Sequence, residues 1–183
     1  IYERDCFMEC LKTPQQKGLV HAFFAERASA KVPENGRAQP RKLEKIGVIG
    51  GGTMGAGITV AALNAGLNVT MVERDDESIA KGRHNVEKVY DRDIEKGRKT
   101  PEQKAAIMAR YTASTSYDDL ADADLIIEAV FENMDVKKEV FAILDKVAKP
   151  GAVLASNTSY LNIDEIASAT TRPQDVIGLH FFS

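Results

Sequence analysis

Three glycines, Gly50, Gly52 and Gly55, follow the order G-x-G-x-x-G inside the stretch KIGVIGGGTMGAGITVAALNAG. An apolar run precedes them and a helical pattern follows, the setting in which such a loop cradles a pyrophosphate. Gly50 permits the tight turn, Gly52 lets backbone approach phosphate, and Gly55 lets helix pack closely on strand. Thr53 and Met54 open the helix, whose free N–H groups favour an anion. Glu73 ends the next apolar run, roughly 20 residues beyond the loop, where an acid meets a ribose 2′-hydroxyl. A carboxylate there repels a 2′-phosphate, so the expected cofactor is NAD rather than NADP. The adjacent Arg74 pulls the other way, because arginine accommodates that phosphate.

A second set of polar residues follows the later apolar runs: Glu132 and Asn133, then Asn157, Thr158 and Ser159, then His180. In open α/β sheets ligands lie outside the carboxyl ends of the strands. These residues are therefore expected on one rim, beside the nicotinamide end of the cofactor. An imidazole titrates near neutral pH, so His180 suits proton exchange with a substrate hydroxyl. Each also has a plainer use. A histidine at a strand end could be structural, residues 157–159 could cap a helix, and Glu132 could favour a helix dipole.

Elements that would position these groups are legible. Five short apolar runs, at 45–50, 68–73, 123–130, 152–158 and 175–182, do not alternate, as in strands buried on both faces. Helical patterns lie at 53–66, 76–97, 101–110, 135–148 and 163–169. This order implies a Rossmann-type α/β fold, doubly wound around a mostly parallel sheet. The stretch 76–110 exceeds one crossover and reads as a projecting helical hairpin turning at 97–101. Short helices over residues 1–31 come first, broken at Thr13 and Pro14. Residues 32–42, with two prolines, a glycine and basic residues, read as a linker. The domain proper is 43–183.

The 183 residues are 44% hydrophobic and 28% charged with a formal charge of −3, an ordinary globular composition. Nothing in that balance draws the chain to nucleic acid or an anionic membrane. No apolar run nears the ~18 residues of a spanning helix. No metal-ligand cluster is visible. Cys6 and Cys10, one helical turn apart, read as reduced thiols of a cytosolic-type protein. His21 and His84 have no polar cluster around them.

The segments IGVIGGGTMGAGI, IIEAVFENMDVKKEVF, SNTSYL and GLHFFS occur in this order. Together they resemble the NAD-binding domain of 3-hydroxyacyl-CoA dehydrogenases. Residues 1–31 resemble the tail of the hydratase/isomerase part of multifunctional β-oxidation enzymes. The resemblance implies oxidation of a (3S)-3-hydroxyacyl-CoA to the 3-ketoacyl-CoA with NAD as hydride acceptor. It places His180 as the proton acceptor, Ser159 against the substrate oxygen, and Glu132 near the nicotinamide. Gly50, Gly52, Thr53, Met54, Gly55, Glu73, Glu132 and Asn157 would hold the cofactor. Lys81, or its neighbours Lys88, Lys96 and Lys99, could meet CoA phosphates or simply face solvent.

The resemblance further implies a glutamate partner for His180 and a helical acyl-CoA domain, both beyond residue 183. The first residue is Ile, so an internal piece of a longer enzyme is expected. Alone, such a piece could be a dinucleotide-binding module with little turnover, and another β-hydroxyacid dehydrogenase is the other alternative. A thiolase partner, self-association through faces left bare, and a cytoplasmic, bacterial-type setting complete the expectations.

Overall fold

The computed structural model describes residues 2–29, 31 and 39–182. The chain divides into two units, Ile1–Arg41 and Lys42–Ser183. The division falls at the end of the segment read as a linker, of which residues 32–38 lie outside the described residues.

In the first unit, α1 (Tyr2–Cys10) and α2 (Pro14–Ser29) bury no residue. Thr13 accepts a hydrogen bond from the Gln16 amide at 3.2 Å, so it caps α2 ahead of Pro14. Leu19, Phe23 and Phe24 are exposed. Arg27 stacks on the Phe23 ring, 3.8 Å from its centroid. Cys6 and Cys10 are free thiols.

The second unit begins with β1 (Lys45–Ile49), α3 (Thr53–Asn64), β2 (Asn68–Val72), α4 (Asp76–Glu95) and α5 (Pro101–Met108). It continues through β3 (Tyr111–Ser114), β4 (Leu125–Glu128), α6 (Met134–Val147), β5 (Val153–Ser156), α7 (Ile163–Ala167) and β6 (Val176–Gly178). The sheet order is β3-β2-β1-β4-β5-β6 and every pairing is parallel. The order reverses at β1, the switch point of a doubly wound fold.

Parallel strands covered on both sides need apolar residues at every position. β1 shows this, with Ile46, Val48 and Ile49 all buried. One core holds Ile126, Val140, Phe141, Leu144 and Ile166, from β4, α6 and α7. The other holds Ile58, Leu63, Met71, Val86 and Tyr90, from α3, β2 and α4.

The five apolar runs become five of the six strands. β3 goes unread in the sequence because YTAS buries only Tyr111 and sits at the sheet edge. The helical hairpin forms, turning through Gly97 at φ +67 and a capping box between Thr100 and Gln103. Its first helix is anchored to the body by Gly82, Val86 and Tyr90, whereas α5 buries nothing. Among the described residues no helix is long and apolar enough to cross a membrane.

Candidate active site

The loop between β1 and α3 is built by close approach. Gly50 has φ +95, and a Cβ there would meet the Ala129 carbonyl oxygen at 2.8 Å. A Cβ on Gly55 would overlap the Gly50 carbonyl oxygen. Gly52 is the N-cap of α3 and offers no side-chain cap. The first amides of α3, at Thr53 and Met54, are thus left for an anion. A Cβ on Gly52 would find nothing within 4 Å, so the space above the helix start is open to a phosphate. The cleft over this loop has a volume of ≈ 1020 Å³ and is lined by Gly52, Thr53, Met54, Glu73 and Lys81 among others. It is ample for a dinucleotide.

Glu73 follows β2 and accepts the Gly51 amide at 2.5 Å. Arg74 turns to Asp75, Nε to Oδ2 at 3.0 Å, and is otherwise in solvent. Asp75 also caps α4 by accepting the Ser78 amide. The Arg74–Asp75 pair is exposed and Arg74 itself lines the cleft, so its guanidinium stays within reach of a ligand there. Sequence reading missed Asn85, whose Nδ2 donates to the Gly51 carbonyl at 3.0 Å. The Gly51 peptide is held from both sides, by Glu73 and by α4. A mid-helix asparagine carries no local signal of that task.

On the other side of β1, three strand ends converge. Ser159 Oγ and His180 Nε2 lie 3.2 Å apart, both exposed. Glu132 accepts from the Thr158 hydroxyl and, at 3.0 Å, from the Ser159 amide. Burial works against the Glu132 charge. The Thr158 and Ser159 bonds and Lys137 outweigh it and hold the carboxyl below its usual range. Asn157 accepts the Phe181 amide at 2.9 Å, which fixes the segment carrying His180.

Thr158 also accepts the Leu161 amide at 3.0 Å, a local turn bond of the plainer kind. Asn162, not residues 157–159, caps α7. Asn133 caps α6 by accepting the Asp135 and Val136 amides, so Glu132 is free to face Thr158 and Ser159. Glu73 and the Glu132–Ser159–His180 group lie on opposite sides of β1, as the two ends of a dinucleotide require.

Beneath Glu132 lies a group the sequence reading did not find. Glu128 and Lys137 are fully buried and paired at 2.7 Å. The hint was an acid closing the apolar strand LIIE, with a lysine in the second turn of the helix after it. Among the described residues no group of three or more His, Cys, Asp or Glu could hold a metal ion.

A parallel sheet with a glycine loop and acid at its switch point defines a dinucleotide-binding domain. The family model for the NAD-binding domain of 3-hydroxyacyl-CoA dehydrogenase matches residues 45–183, and the chain belongs to that family. The peroxisomal bifunctional enzyme of Cavia porcellus is 41% identical over 99% of this chain and 26% of its own length. The peroxisomal fatty acid beta-oxidation multifunctional protein AIM1 of Arabidopsis thaliana is 36% identical over 99% of this chain and 25% of its own. The solved (S)-3-hydroxybutyryl-CoA dehydrogenase PaaH1 of Ralstonia eutropha aligns with a TM-score of 0.75 at 41% identity, covering 77% of this chain and 50% of that one.

The chain thus spans about a quarter of the length of these curated relatives. The family and these dehydrogenases indicate NAD as the cofactor. The relatives' peroxisomal names overturn the expectation of a cytoplasmic, bacterial-type protein. Two thiols and a mild negative charge carry no compartment address, which a receptor reads from a few residues.

Proposed function

We propose that this chain is the cofactor half of an enzyme that oxidises (3S)-3-hydroxyacyl-CoA to 3-ketoacyl-CoA in fatty-acid β-oxidation. The observation that carries this reading is the Ser159–His180 pair, set on the same sheet rim as the Gly50–Gly55 loop. NAD, when bound, supplies the ring that accepts the hydride from C3. Nε2 of His180 accepts the hydroxyl proton, and Ser159 Oγ, 3.2 Å away, orients imidazole and substrate oxygen. Glu132 holds the Ser159 backbone. The amides of α3 and Glu73 bind the pyrophosphate and adenosine ribose. Lys81 is exposed on the cleft wall and would meet a CoA phosphate.

In the longer enzyme, α1 and α2 would close a hydratase/isomerase part, and a thiolase would consume the ketoacyl product. A second reading is favoured by the bareness of the rim. Phe131, Tyr160 and Phe182 are 79%, 77% and 87% exposed. The chain alone would then bind dinucleotide and turn over little, because its proton acceptor is open to water.

Fluorescence titration with NADH and with NADPH tests the cofactor site, and acetoacetyl-CoA added to the NADH complex tests turnover. Saturable NADH binding with much weaker NADPH binding is expected. A folded chain that binds neither would overturn the site. NADH oxidation by acetoacetyl-CoA decides between the two readings.

A further inference from the structure

We propose that Glu128 is a positioning residue, acting through Lys137 to hold the Glu132 carboxylate in the geometry that serves the nicotinamide end of the site. The proposal rests on the dehydrogenase reading above.

Glu128 and Lys137 are each 0% exposed. Two charges taken out of water are costly, and a well-packed apolar pair of similar volume is often no less stable. Stability alone therefore does not account for the pair. Its connections suggest what does. Glu128 Oε1 accepts the Val130 amide at 2.8 Å and the Lys137 ammonium at 2.7 Å. Its Oε2 accepts the Ser156 hydroxyl at 2.7 Å. Val130 leads out of β4 towards Glu132, and Ser156 leads out of β5 towards Ser159. One buried carboxylate thus ties together the two strand ends that carry the site.

Lys137 then reaches forward. Its Nζ lies 3.2 Å from Glu132 Oε2. The other oxygen, Oε1, accepts the Ser159 amide and the Thr158 hydroxyl. One ammonium is shared by two carboxylates, with the shorter bond going to Glu128. That sharing keeps Glu132 from collapsing onto the lysine. Its outer oxygen stays with Ser159, whose hydroxyl faces His180. Without Glu128 the full attraction of Lys137 would fall on Glu132. The carboxylate would be drawn inward, off the Ser159 amide.

The test uses the whole chain and two ligands, NADH and ADP-ribose, which lacks the nicotinamide. In Glu128→Gln the shape is kept and the charge removed. NADH affinity is expected to fall about tenfold, the loss of one charge-assisted hydrogen bond, while ADP-ribose affinity stays within about twofold. A general loosening of the domain would weaken both ligands together. The double variant Glu128→Gln/Lys137→Gln leaves no unpaired buried charge and no ammonium to draw Glu132 inward, so its NADH affinity is expected to stay within about twofold of the unaltered chain. Equal changes for the two ligands, or none, in folded Glu128→Gln would overturn the proposal, as would an NADH-specific loss that persists in the double variant. So would failure of both variants to fold, which would make the pair purely structural. Failure of the unaltered chain to bind NADH would instead sink the dehydrogenase reading itself.

Discussion

Ser159 and His180 come from different strand ends and meet at 3.2 Å, a distance set by their neighbours more than by themselves. The Ser159 amide is fixed by Glu132, and the segment after β6 by Asn157. The glycine loop shows the same dependence in its strictest form. Gly55 is buried, and an added Cβ would overlap the Gly50 carbonyl oxygen, a backbone atom that cannot rotate aside. Gly55→Ala is therefore expected to destabilise the domain by about 3 kcal/mol, the upper end of overpacking, and to abolish NADH binding. Urea unfolding and the fluorescence titration check the two effects separately. At this scale the sequence was most informative about the glycine loop and the polar residues after the strands. Glycine spacing and polar residues after strands are local patterns. Asn85 and Glu128 act on Gly51 and Ser156, 34 and 28 residues away, which no local pattern shows.

The helix α4 does more than complete a hairpin. Gly82 packs against the cofactor loop, where a Cβ would meet Met71 Sδ at 2.8 Å and Gly51 Cα at 3.1 Å. Asn85, one turn on, bonds the Gly51 carbonyl. The helix is a buttress for the peptide that Glu73 holds from the other side. Gly82→Ala should push α4 outward and loosen that peptide. NADH and ADP-ribose should both bind several-fold more weakly, since the loop serves the part they share. A variant with unchanged affinities for both would show that α4 does not support the loop. The contrast with Glu128→Gln separates the glycine-loop end of the site from the Glu132 end. The hairpin and its turn at Gly97 are legible from length and turn residues. The buttressing is not, because it depends on which face of α4 meets the sheet.

At the scale of the molecule, charge ties the start of β1 to the segment before β4 and the segment after α6. Asp124 accepts from Lys149 Nζ at 2.6 Å and from the Glu44 and Lys45 amides at 2.7 and 2.9 Å. Chiefly through the Lys149 bond, these contacts draw its carboxyl down to about 2. A carboxyl depressed on folding stabilises the fold above its unfolded pKa near 3.9, and loses that contribution as pH falls through the folded value. Asp124→Asn should accordingly lower the melting temperature by a few degrees at pH 7. The gap to the native chain should close between about pH 4 and pH 2, as melts across that range would show. The first unit makes a different demand. Its helices bury nothing, and Leu19, Phe23 and Phe24 are 72%, 48% and 62% exposed. An apolar face of this kind drives association. Sedimentation should show a concentration-dependent oligomer, dispersed by Phe23→Ser with Phe24→Ser. A monomer at every concentration would refute it.

By itself the sequence determined the fold class, the position of the glycine loop and which polar residues follow the strand ends. Each of these follows from local rules: period, glycine spacing, and the polar residue that must follow a buried strand at its carboxyl end. Only the tertiary structure decided that YTAS would pair as β3, that Asn85 would brace the Gly51 peptide, and that Glu128 and Lys137 would be buried beneath Glu132. Those outcomes turn on desolvation and on partners supplied by distant segments. A charged residue reads the same in sequence whether water or a buried counter-charge surrounds it.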